Sequence, residues 1–103
     1  MAASDPAAMA QRSRAVVETA MAARYLGQLC QHFRHKIPVT RNDAAGRIEF
    51  PFGACALVAT ERTLTLTAEA ADAEALGRLQ EVIGRHLLRF AFREALTVAW
   101  RAA

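Results

Sequence analysis

The sequence predicts an α+β fold: a two-layer sandwich in which an antiparallel sheet of about five or six strands carries two helices on one face. Thr63-Leu-Thr-Leu-Thr-Ala-Glu69 alternates strictly between apolar and polar residues, the period of a strand with one face covered and the other wet. Leu26, Leu29, Cys30, Phe33 and Ile37 recur at helical spacing, as do Ala75, Leu76, Leu79, Val82, Ile83, Leu87 and Phe90. Both stripes mark amphipathic helices. The order is strand, helix, three or four strands, helix, strand, and two helices amount to one apolar cover for one sheet.

Residues 1–11 are Ala-rich and are expected to form a disordered tail ahead of a single domain over 12–103. Paired β-branched residues make Ser13 to Thr19 a short strand, after which Thr19 is placed to cap the first helix, roughly residues 20–36. Pro38 ends that helix. Val39 to Arg41 is a weak strand and Asn42-Asp-Ala-Ala-Gly46 a turn by composition. Arg47 to Phe50 is a strand that is either an edge or breaks at Pro51 and Gly53. Ala54 to Ala59 is apolar on both faces, as a central strand is. Asp72 is a good N-cap for the second helix, which runs on through Phe92 to Glu94, and Thr97 to Arg101 is the closing strand.

Composition excludes several classes. A chain of 103 residues with 53% hydrophobic content builds one packed core. No apolar run approaches the ~20 residues that span a bilayer. The start, Met1-Ala-Ala-Ser-Asp-Pro6, lacks the basic flank and apolar stretch of a signal peptide. Cys30 and Cys55 follow no disulfide framework, so a cytoplasmic protein with reduced thiols is expected. The net charge of +3 comes without the dense basic stripe or aromatic recognition elements of a nucleic-acid binder. No nucleophile elbow, phosphate loop or dinucleotide fingerprint occurs, so no catalytic residue is assigned. Glu81 and Glu94 lie among arginines and are expected on a solvated face.

The candidate chemistry lies with the histidines. Helical geometry turns His86 onto the apolar stripe, between Val82, Ile83 and Phe90, so it is expected to be buried with a hydrogen-bond partner. One reading is a core histidine that locks the second helix in place; the other is a ligand or general base. Tyr25, Gln28 and His32 form a second ridge on the first helix, which sets Tyr25 and His32 beside a cleft between the helices. If the helices are neighbours, His32 approaches His86, and two imidazoles suit a transition metal or a haem iron. His35 points further out. Cys30 and His32 lie about 200° apart around the helix and cannot share one ion. Leu88 and Phe92 fall opposite the core stripe. Either they meet a protein partner or a second copy, or the helix bends or ends near Arg89 and buries Phe92 against the final strand.

Three blocks, Arg24-Tyr-Leu-Gly-Gln-Leu-Cys-Gln-His-Phe-Arg-His-Lys36, Gly46-Arg-Ile-Glu-Phe50 and His86 through Trp100, together resemble domain-of-unknown-function family 2218, a group of small prokaryotic proteins. The resemblance runs from about Arg14 to Arg101, and the family's hallmark positions fall on Tyr25, Leu26, Cys30, His32, His35, Lys36, Gly46, His86, Leu87, Phe90, Glu94 and Trp100. It carries no activity. It implies a setting in iron or siderophore metabolism, since members occur beside siderophore-interacting flavin reductases. Three functions follow as expectations: a small cytoplasmic accessory domain that binds a ligand or protein, a metal- or haem-binding module on His32 and His86, and an enzyme with His86 as general base.

Overall fold

The computed structural model describes residues 10–103. Its elements are β1 (Gln11–Glu18), α1 (Ala22–Phe33), β2 (Val39–Arg41), β3 (Ala45–Phe50), β4 (Gly53–Ala59), β5 (Thr63–Ala70), α2 (Ala73–Phe90) and β6 (Arg101–Ala102). The strands form one six-stranded sheet in the order β2-β3-β4-β5-β1-β6, and every pairing is antiparallel. This is the predicted α+β sandwich.

The meander β2 to β5 is set by short turns. Asn42 Oδ1 accepts from the backbone N–H groups of Ala44 and Ala45, both at 2.9 Å, which fixes the β2–β3 turn. Pro51 and Phe52 make the two-residue loop between Phe50 and Gly53, which are register partners. Gly53 has φ +157°, and a Cβ there would stand 2.5 Å from the Glu69 carbonyl oxygen, so only glycine fits. Thr60 Oγ1 accepts from the N–H of Thr63 at 2.9 Å in the last turn.

Register turns rows of apolar side chains to the same side. Ala15, Leu66 and Leu57 form one inward row; Val17, Leu64 and Ala59 form the next. Leu57, Leu64 and Leu66 are fully buried beneath Leu26 and Leu29 of α1 and Leu79, Ile83 and Leu87 of α2. Each such side chain contributes about 1.5–3 kcal/mol through burial. Both helices therefore cover the Leu64/Leu66 face. The opposite face is open, with Val16 56% and Val58 47% exposed beside the threonines of β5. No helix of the described residues is long and apolar enough to cross a membrane.

Several expected boundaries move. β1 begins at Gln11, inside the stretch expected as tail; residues 1–9 of that stretch lie outside the described residues. Thr19 does not cap α1 by side chain onto the first turn. Met21 is the N-cap, and Thr19 Oγ1 accepts from its N–H at 3.0 Å. The helix stops at Phe33, and a turn bonded to the Phe33 carbonyl carries the chain to Ile37. α2 ends at Phe90, capped by Ala91, rather than running to Glu94. Phe92 then lies beyond the helix and is 76% exposed, so it is not buried against a final strand; Leu88 is 46% exposed. The closing strand is only Arg101–Ala102, paired with Ser13 and Arg14. Leu96, Val98 and Trp100 still pack on the core in alternation. Period two survives there because apolar burial sets it.

Candidate functional site

α1 and α2 lie side by side on the sheet, and the groove between them collects the polar groups of both. α1 fits closely onto β3: a Cβ on Gly46 would stand 2.9 Å from Cys30 Sγ. α2 is tied to β1 where Gln80 Nε2 donates to Ser13 Oγ at 2.7 Å. Sheet-facing positions on α2 are Leu79, Ile83 and Leu87, one narrow line at four-residue spacing. His86 lies to one side of that line and is turned toward α1.

His86 is therefore half-buried rather than buried, as is Val82. The expectation of an inward histidine is corrected on this point, because a helix that shares its sheet with a neighbour buries one edge of its stripe against that neighbour. Its expected hydrogen bond is present. His86 Nδ1 stands 2.7 Å from the Val82 carbonyl oxygen; facing a carbonyl it must donate, so the neutral ring keeps Nε2 as its free acceptor.

The two helices bring His32 to His86. Their ring centroids are 4.7 Å apart at an interplanar angle of 46°. His32 also meets Phe33 edge-on at 4.8 Å and Phe90 at 5.7 Å, and Phe33 continues the cluster to His86 and Phe50, each at 5.0 Å. His32 is exposed as a residue, yet its ring is packed on these neighbours. Loss of solvent around the ring lowers its pKa, and the nearby His86, Lys36 and Arg89 lower it further. The neutral form, which ligates metals, is favoured. Rings in contact leave no gap for a porphyrin plane between them, so a haem iron does not fit in sandwich fashion. Among the described residues no group of three or more His, Cys, Asp or Glu side chains is placed to hold a metal ion, and the pair would supply two ligands only.

At the other end of the groove Tyr25 is buried, and its hydroxyl donates to Glu94 Oε2. Thr19 Oγ1 donates to the same carboxylate, 3.0 Å from Oε1 and 3.2 Å from Oε2. The Tyr25 pKa is raised, chiefly by this hydrogen bond and then by burial and the Glu94 charge, against a smaller opposing effect of Arg24. Glu94 is half-buried, which corrects its expected solvated position: α2 stops four residues earlier and the turn after it folds the carboxylate back onto α1. The misfit of Leu88 and Phe92 with the core stripe was the available signal that the helix ends there.

Between these ends the groove is open. A cavity of about 460 Å³ is lined by Tyr25, Phe90, Phe92, Arg93 and Glu94, and one of about 490 Å³ by Gly27, Gln31, His32 and Arg41. Arg24, Gln28 and Phe90 line both, so the two are continuous. Gln28 Oε1 is buried there without a hydrogen-bond partner among the described residues, an arrangement that costs about 1–3 kcal/mol. Of the expected ligand residues Tyr25, His32 and His86, the groove cavities hold Tyr25 and His32, joined by Gln28 and Arg24, whereas His86 borders a separate cavity with Arg85 and Arg89. The cysteines belong to the core. Cys30 and Cys55 are free and buried; burial raises the Cys30 thiol and pushes Cys55 up to about 12, so neither is a ready nucleophile.

Comparison with known proteins agrees with this architecture. No curated protein sequence matches the chain. An NMR structure of PA4090 from Pseudomonas aeruginosa has the same fold, with a TM-score of 0.76 and 35% sequence identity over 88% of this chain and 95% of that one. The family model described as "Uncharacterized protein conserved in bacteria (DUF2218)" matches residues 14–101. The chain belongs to that bacterial family.

Proposed function

We propose that the chain is a non-enzymatic accessory domain that binds a small ligand in the groove between α1 and α2. The observation that carries this reading is the convergence of Tyr25, Gln28, His32 and Phe90 on one open groove, with a buried Gln28 acceptor that has no partner among the described residues. Pockets of this size with an apolar wall and a few polar groups are the usual form of small-molecule sites. His86 supports general-base catalysis poorly, since it lines neither cavity of the groove and its aromatic ring neighbours are His32, Phe33 and Phe90. A protein partner or second copy would meet the exposed Leu88 and Phe92 beside the groove. The cellular setting suggested by the family resemblance is cytoplasmic iron or siderophore metabolism, and the geometric argument is independent of it. Titration with small aromatic probes (phenol, benzoate, benzamide, indole), followed by amide chemical shifts, tests the reading. Saturable shifts at residues 24–32 and 86–94 support it; no saturable shift with any probe sinks it.

A second reading, a metal site on His32 and His86, is favoured by the ring contact and the free His86 Nε2. Zn²⁺ or Ni²⁺ would then bind with an affinity that falls as pH drops below about 6.5. His32→Ala and His86→Ala would each abolish uptake, whereas His35→Ala would leave most of it. Identical weak binding in wild type and all three variants would remove the metal reading.

A further inference from the structure

We infer that the groove selects a small planar carboxylate, an aromatic acid bearing a hydroxyl group, held by Arg24 and Arg41. The inference rests on the groove-binding reading and names its ligand class. Arg41 belongs to β2, yet it reaches across α1. A Cβ on Gly27 would stand 3.1 Å from Arg41 Nη1 and 3.8 Å from Nη2, so the guanidinium lies directly on the bare helix backbone at that glycine. Its Nε donates to the Asn42 carbonyl at 3.3 Å. Arg41 also lines the cavity bordered by Arg24, Gln28, Gln31, His32 and Phe90. Among the described residues neither Arg24 nor Arg41 forms an ion pair; the two pairs present, Arg12 and Arg47 to Glu69, lie on the open sheet face. Glu94, which lines the groove next to Arg24, is occupied by two hydroxyl donors.

Two unpaired guanidiniums at one cavity select an anion, and their planar forks match a carboxylate. The walls decide what the carboxylate is attached to. Phe90 and the His32 ring offer flat apolar surface, which suits a planar aromatic body better than a bare phosphate. The buried Gln28 Oε1 lacks a donor. Turned into the groove, that amide would accept a hydroxyl hydrogen from the ligand, and its unsatisfied state would end on binding.

Titration of the full chain with benzoate, benzamide, hydroxybenzoate isomers and inorganic phosphate, read by amide shifts at residues 24–32, tests this. Benzoate should bind about tenfold or more tightly than benzamide, the loss expected for one charge-assisted hydrogen bond. At least one hydroxybenzoate should bind more tightly than benzoate, and Gln28→Met should remove that preference. Arg24→Gln and Arg41→Gln should each weaken benzoate about tenfold. Gly27→Ala should keep the fold, because alanine favours the helix and the atom its Cβ meets is the end of a flexible arginine side chain. It pushes the Arg41 guanidinium away by a few tenths of an ångström without changing any charge, so it should weaken benzoate measurably and leave benzamide unchanged. Equal binding of benzoate and benzamide would overturn the anion assignment and leave the groove reading standing. Phosphate binding as tightly as benzoate would overturn the aromatic part. Absence of shifts with every probe would overturn both readings.

Discussion

The two ends of the interhelical groove join the same helices by opposite means. At the Tyr25 end a carboxylate is answered by two hydroxyl donors, and one of them, Thr19, lies 75 residues away in sequence. At the His32 end rings touch, and the hydrogen bond of His86 runs to its own helix. One end is satisfied within the fold and holds it together. The other leaves His86 Nε2 and, between the two ends, Gln28 Oε1 without a partner among the described residues. Proximity of polar groups thus separates into a lock and a site only when each atom's partner is counted.

Glu94→Ala should be the most damaging change at either end. It strands the buried Tyr25 hydroxyl and removes the Thr19 bond, a loss of about 2–4 kcal/mol in urea unfolding. Glu94→Gln keeps an acceptor and should cost less. A loss for Glu94→Ala no larger than for an exposed residue such as Glu81→Ala would erase the distinction between the ends.

Tyr25→Phe should cost about 1–2 kcal/mol, and it carries a pH signature. A tyrosine whose folded pKa lies above its unfolded value near 10 stabilises the fold fully below that pH and loses the contribution as pH rises toward the folded pKa. Wild-type stability should therefore fall more steeply above pH 10 than that of Tyr25→Phe; parallel curves would count against the hydrogen bond.

His86→Ala should cost no more than about 1 kcal/mol, because its half-buried ring strands no partner when removed: the Val82 carbonyl remains in the helix ladder. The smallest effect belongs to His32. Its folded pKa lies below the unfolded value near 6.5, so stability is complete above that pH and declines as pH falls through it toward the lowered value. His32→Gln should flatten this slope between pH 7 and 5, and an unchanged slope would place its origin elsewhere.

How far the sequence anticipated this follows from particular residues. Leu64, Leu66 and Ala68 declared the covered face, because strict alternation leaves a strand one way to lie. The nearness of His32 to His86 followed from two helices sharing one sheet face. Glu94 was misplaced because Ala91 to Arg93 contains neither glycine nor proline to stop a helix, and only the chain's return to α1 ends it there. Gln28 was legible as part of the Tyr25 and His32 ridge, but Arg41 was missed for a different reason. That Arg41 crosses α1 at Gly27 depends on how β2 is seated beside the helix, and no periodicity within either segment encodes it.

The strand order has a consequence for how the chain acquires its shape. β2 to β5 form a meander of neighbours joined by tight turns, whereas β1 must pair with a strand centred some fifty residues later and α1 must be carried over the sheet before it. Local hairpins close fast and distant pairings wait for the loss of chain entropy to be recovered. Amides in 45–70 should accordingly gain protection from pulse-labelled exchange before those in 11–18. On a ribosome β1 emerges before both of its partners, β5 and β6, and must stay unpaired until β5 follows, its Val16 and Val17 exposed to whatever else can bind an extended apolar segment.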